Sequence, residues 1–196
     1  MNKNLEDISD GKRYGLNDMV RAACNDCAGC SSCCEDMGSI LLDPLDIYML
    51  TKNLNCTFEN LLQQNIELHV ADGLILPNLK MTQENVCPFL KEKRCSIHSF
   101  RPGICRVFPL GRIYEENKLD YSLQSEGCVK ENRSKVKVSK WLDTPQLKQN
   151  QQYLIDWHAF RKKIEHILAE MPDENQKKTI TMFLLNTFYI NPYDTE

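Results

Sequence analysis

Residues 24–34 read Cys24-Asn25-Asp26-Cys27-Ala28-Gly29-Cys30-Ser31-Ser32-Cys33-Cys34, five thiols within eleven positions. Cys87, Cys95, Cys105 and Cys128 follow, Cys56 stands alone between the groups, and no thiol lies after residue 128. A disulfide scaffold needs an oxidising compartment, but Met1 to Asn17 is polar and has no apolar core of a secretory signal, so a cytoplasmic location is expected. In that setting clustered thiols hold metal or do redox chemistry. The plain alternative is a set of reduced thiols buried as small hydrophobes, and five of them in one polar loop argue against it.

The spacing itself leaves two metals open. Cys24-x2-Cys27-x2-Cys30-x3-Cys34 is the run with which bacterial ferredoxins hold cubane iron-sulfur clusters, although Glu35 stands where those proteins have proline and no second copy follows. A Cys-x2-Cys step is equally how zinc ribbons bring two thiolates onto one ion. Cys33 and Cys34 are neighbours whose side chains tend to point apart in an irregular loop, so if both are ligands they serve two sites or two atoms of one cluster. Cys87, Cys95, Cys105 and Cys128 would complete two four-thiolate sites, which would make metal binding part of folding. Five close thiols with an adjacent pair weigh toward an iron-sulfur cluster over zinc.

The rest of the chain is of ordinary globular make-up. Its 196 residues suit one domain with a modest appendage, and 42% hydrophobic with 26% charged residues excludes disordered and fibrous classes. A net charge of −3 gives no global attraction to nucleic acid or anionic lipid. Even Ile40 to Leu50 is broken by Asp43, Pro44 and Asp46, so no membrane span is expected. Asp43-Pro44 reads as an N-cap followed by proline at the first helical position, with Leu45, Ile47, Tyr48, Leu50 and Leu54 on the apolar face. Thr57 caps a shorter helix, Phe58 to Gln64. Ile66–Val70 and Leu74–Leu76 form a hairpin around Ala71-Asp72-Gly73, and Gly111–Glu115 and Leu119–Leu123 a second around Glu116-Asn117-Lys118.

From Lys130 through Arg133, Lys135, Lys137 and Lys140 the chain is basic and reads as a surface connector. Thr144-Pro145 opens a helix with Tyr153, Leu154, Trp157, Phe160, Ile164 and Ile167 at helical spacing. Pro172 starts a second, with Ile180, Phe183, Leu184 and Thr187 on its apolar face. Trp157 and Phe160 read as core, and the basic run has too few interleaved aromatics for nucleic-acid binding.

Cys27-x2-Cys30-x2-Cys33-Cys34, with Cys87-Pro88-Phe89-Leu90, Cys95-Ser96-Ile97-His98 and Arg101-Pro102-x2-Cys105-Arg106-x-Phe108-Pro109, resembles the YkgJ-type CxxCxxCC cysteine cluster family of zinc- or iron-chelating domains, from about residue 21 to residue 128. The resemblance implies a metal-ligand set of Cys27, Cys30, Cys33, Cys34, Cys87, Cys95, Cys105 and Cys128, and leaves Cys24 outside it. Ser31 stands where relatives often have glycine, and His98 where they often have tyrosine.

The expected fold is α+β: an N-terminal arm (1–20), an irregular metal-organised cysteine-rich domain with short hairpins and helices (21–128), and a C-terminal helical hairpin (129–196). The expected function is metal binding in a redox, accessory or structural module, with a protein partner as a further expectation. The resemblance extends to flagellin lysine methylases, which implies an S-adenosylmethionine-dependent enzyme as the alternative. Against it, the chain has no Gly-x-Gly and no Cys-x3-Cys-x2-Cys signature.

Among the remaining candidates, Cys56 reads as structural, as do His69, His158 and His166, while His98 is either a packed histidine or a nitrogen ligand beside Cys95. Arg101 and Arg106 flank Cys105, where a guanidinium can hydrogen-bond a metal-bound sulfur or simply tie the fold. Pro88, Pro102 and Pro109 read as fixing the turns that aim the thiols.

Overall fold

The computed structural model describes residues 8–23, 31–35, 39–124, 128 and 133–191. The fold is α+β, with short antiparallel strand pairs and a helical C-terminal region. The chain forms two compact units that interleave along the sequence.

The first unit takes Met1–Cys33, Glu92–Arg94 and Cys105–Arg161. β1 (Met19–Ala23) pairs antiparallel with β8 (Ser134–Lys137), and β6 (Leu110–Glu115) with β7 (Lys118–Leu123). The β6–β7 turn is two residues, with Glu116 left-handed at φ 44° and Lys118 already in the strand, one residue tighter than the three-residue turn expected. Tyr14 exchanges backbone hydrogen bonds of 2.8 and 2.9 Å with Tyr121, which lays the N-terminal segment along β7. Val20, Leu119, Tyr121, Val138 and Leu154 belong to one buried cluster.

The basic stretch after residue 132 is not a surface connector. Residues 134–137 are the strand β8, and α4 (Val138–Leu142) follows directly, burying Val138 completely and Leu142 almost so. Lysines and two valines share this segment, and the alternation that seats Val136 and Val138 inward is short enough to be hidden by the charge run. Lys130 lies outside the described residues.

The second unit takes Cys34–Lys91, Cys95–Ile104 and Lys162–Glu196. α1 (Pro44–Leu54) and α2 (Phe58–Gln64) begin where the sequence places them, each with a complete capping box: Asp43 with Asp46, and Thr57 with Asn60. β2 (Ile66–Ala71) and β3 (Leu74–Leu79) pair in full register about Asp72 and Gly73, whose φ values of 51° and 82° suit a two-residue hairpin turn. Residues 40–42 lie along the other edge of β3, through Leu42 N to Pro77 O (2.9 Å) and Leu79 N to Ile40 O (3.0 Å).

Two C-terminal helices are present as expected, with different ends and faces. α5 (Leu147–Glu170) runs from the first unit into the second and starts after Gln146, not at Thr144-Pro145. It buries Leu154, Ile155 and Leu168, while Ile167 is exposed. α6 (Glu174–Leu185) is capped by Asp173, whose side chain accepts from the Asn175 and Gln176 amides, and passes into a π-helical turn (Asn186–Ile190). Its buried stripe is Thr181, Leu185 and Tyr189, whereas Phe183 is 65% exposed. Burial therefore follows the i, i+4, i+8 row, and the largest apolar side chain of the helix is left outside it. No helix of the described residues is long and apolar enough to cross a membrane.

Candidate metal centre

Cys24, Cys27 and Cys30 lie outside the described residues. Ser31 sits in the left-handed region at φ 49° and leads into a 3-10 turn, Ser32–Cys34. A residue without Cβ takes that conformation at no steric cost, so the backbone at Ser31 suits glycine.

The first and second cysteine groups meet through the backbone. The Cys87 amide donates to the Cys34 carbonyl at 2.8 Å, and Glu35 and Val86 form an antiparallel bridge beside it. A compact loop presents Cys87 to this pairing: the Thr82 amide donates to Val86 O (2.9 Å), the Val86 amide to the Thr82 hydroxyl (3.2 Å), and Asn85 takes φ 57°. Cys87 is buried, and Pro88 follows at the second position of a turn closed by the Leu90 amide on Cys87 O (3.0 Å).

Cys95 is brought back toward the same turn. β4 (Leu90–Lys91) and β5 (Arg94–Cys95) form a minimal hairpin about Glu92 and Lys93, both left-handed at φ 50° and 61°. The amide and the hydroxyl of Ser96 both donate to Phe89 O at 2.9 Å, and Phe89 and Ile97 are buried. Cys34, Cys87 and Cys95 thus share one hydrogen-bonded turn system. Cys33, Cys95, Cys105 and Cys128 are partly buried, as is Cys34. Among the described residues, no three Cys, His, Asp or Glu side chains converge closely enough to hold an ion.

Asp46 is the residue that reading of the sequence missed. It is 8% exposed and uses both carboxylate oxygens: Oδ2 accepts from the Asp43 amide (3.1 Å), closing the capping box, and Oδ1 accepts from the Gly103 amide (2.7 Å). Gly103 opens α3 (Gly103–Val107), the short helix that carries Cys105. The first amides of a helix have no partner within it, so a buried carboxylate supplies the acceptor and ties α1 to the Arg101-Pro102-Gly103 segment. An Asp-x-x-Asp capping box was visible at Asp43 and Asp46; the second acceptance, from a residue far along the chain, was not.

The two arginines have different surroundings. Arg106 ties the fold, donating from Nη1 to Asp143 O at 2.9 Å. Arg101 meets the His98 ring through Nη1, while its Nε is buried with no acceptor among the described residues. Arg133 Nη1 is in the same position. A buried cationic donor left unsatisfied costs about 1–3 kcal/mol or more, so such groups call for an anionic acceptor. Thiolates bound to a metal are acceptors of that kind, and donors of this kind are what surrounds them in metal sites. Arg101 Nε and Arg133 Nη1 are thus donors free for an anion, and thiolate is one chemistry of that kind, while Cys33, Cys34, Cys87, Cys95, Cys105 and Cys128 form no three-ligand cluster among the described residues.

Three of the four histidines have partners of other kinds. His98 pairs with Arg101, His158 stacks on Tyr114 with ring centroids 3.9 Å apart, and His166 lies 3.6 Å from Glu170. Cys56 follows the left-handed C-cap Asn55, its amide donating to Thr51 O (3.0 Å), and burial pushes its thiol pKa up.

The family model for CxxCxxCC, described as "putative zinc- or iron-chelating domain", matches residues 26–141, more than half of the chain. No curated protein and no solved structure matches.

Proposed function

Since the chain belongs to the CxxCxxCC family and carries its zinc- or iron-chelating domain, we propose that it is a redox or accessory module whose thiolates hold an iron-sulfur cluster in preference to zinc. The ligand set in this reading is Cys27, Cys30, Cys33, Cys34, Cys87, Cys95, Cys105 and Cys128, with Cys56 outside it. The observation that supports it is the Cys87 amide on the Cys34 carbonyl, which sets one cysteine of each group side by side in a loop system built from turns. A bound cluster would supply one-electron chemistry. Arg101 Nε would donate to a ligating thiolate and favour its charged form, and Asp46 would hold the start of the Cys105 helix in place. The compartment in this reading is the cytosol, where such thiols stay reduced.

The deciding experiment is iron, zinc and acid-labile sulfide analysis, with an absorption spectrum, on protein purified without oxygen. Iron with matching sulfide and a broad band near about 400 nm is expected. Zinc without sulfide or colour would replace the cluster by a structural zinc site. Saturable S-adenosylmethionine binding that disappears in Cys30→Ala would move the protein to the methylase class.

A further inference from the structure

The face of α1 running through Ile47, Tyr48, Thr51 and Lys52 keeps helical i, i+1, i+4, i+5 spacing, and beyond the buried Ile47 it opens onto a cleft of about 460 Å3. That volume lies within the roughly 300–1,000 Å3 of small-molecule sites. Ile47, Phe58 and Tyr189 line the cleft, so its inner surface is apolar. Tyr189 belongs to the π-helical turn Asn186–Ile190, a conformation that is rare and concentrates at functional sites.

At the cleft's rim a single ammonium is held in place. Lys52 Nζ donates to the Tyr48 hydroxyl at 3.1 Å and lies 5.3 Å from the centre of the Tyr48 ring. Among the described residues no carboxylate lies within ion-pair distance of it. Glu59, also on the rim, has its carboxyl held below the usual range by the Thr57 hydroxyl and stays charged, so it opposes any anion at the rim, and a dianion about twice as strongly as a monoanion. An apolar interior, and one cation without a carboxylate partner among the described residues, suit a ligand with an apolar body and a single negative charge.

We propose that this cleft binds a small monocarboxylate whose apolar body lies on Ile47, Phe58 and Tyr189 and whose carboxylate meets Lys52. The site stands apart from the metal reading. Cys56 also lines the cleft and reports on its occupancy.

The test uses decanoate as the probe and the full chain with its metal, following maleimide labelling of the Cys56 peptide by mass spectrometry and binding by calorimetry. Decanoate is expected to slow Cys56 labelling saturably, with decanol and decylamine at least about fivefold weaker, the upper end for an exposed ion pair. Lys52→Gln should lower decanoate affinity by about the same factor and leave decanol affinity unchanged. Deleting residues 192–196 should leave Cys56 labelling unchanged. No saturable protection, or decanol protecting as well as decanoate, overturns the proposal. So does a large rise in Cys56 labelling on the deletion, which would make the chain's own C-terminus the occupant.

Discussion

Tyr121 and Cys87 are both buried, and they are held by different means. Tyr121 lies in a cluster with Val20, Leu119, Val138 and Leu154, and its hydroxyl accepts from Gln151 at 3.1 Å. Removal of apolar area from water stabilises that region, and it requires nothing beyond the chain. Cys87 instead sits among turns: a Thr82–Val86 loop, a Pro88 turn and the Glu92-Lys93 hairpin, each closed by one or two hydrogen bonds. Backbone hydrogen bonds add only about 1 kcal/mol each, which hardly offsets the entropy of ordering such loops. The comparison teaches that one region is organised by burial and the other by turns, and on the proposed ligand set those turns are what a bound metal would hold.

The largest expected effect separates the two regions directly. Stripping the metal with a chelator should raise hydrogen exchange across residues 82–104 by several orders of magnitude, since structural thiolate sites contribute on the order of 10 kcal/mol. Exchange in β7 and α4 should stay slow; equal loss of protection in both regions would erase the distinction. Cys105→Ala should lower metal content, while Cys56→Ala leaves it unchanged.

Leu154→Ala acts on the other side of the comparison. It should cost about 2–5 kcal/mol in urea denaturation at unaltered metal content. A loss of metal in this variant would mean that burial and metal binding are not separable.

Asp46 and Asp43 share one capping box, but only Asp46 reaches Gly103. Asp46→Ala should cost about 1–3 kcal/mol and speed metal loss to a competing chelator. Asp43→Ala should cost about 1 kcal/mol with metal loss unchanged. Matching chelator kinetics in the two variants would reduce Asp46 to a helix cap. The smallest effect is at Ser31, where glycine relieves the left-handed backbone: Ser31→Gly should stabilise by up to about 1 kcal/mol and slow metal loss modestly.

Much of this fold was legible in the sequence. Asp43-Pro44 and Thr57 start helices, and Asp72-Gly73 turns a hairpin, because caps and two-residue turns depend on side chains and φ preferences within about four positions. The cysteine spacing likewise announced metal chelation, since thiolate chemistry and loop length are local properties. What failed were readings of faces and surroundings. The lysine-rich 134–142 segment became a strand and a buried helix because β1 supplies a partner that charge patterning does not reveal. In α6, Thr181 is buried and Phe183 is not, because the row facing the core was chosen by packing, and intrinsic hydrophobicity had no say in it.

The same division runs through the candidate site. Residue types and spacings near one another named the thiols, the capping aspartate and the turn prolines. Only the folded chain decided that the Cys87 amide meets the Cys34 carbonyl, that Asp46 accepts from Gly103, and that Lys52 and Tyr189 share a cleft. Each of these joins positions far apart in sequence, and such contacts arise when packing closes long loops, a step whose outcome depends on the whole chain.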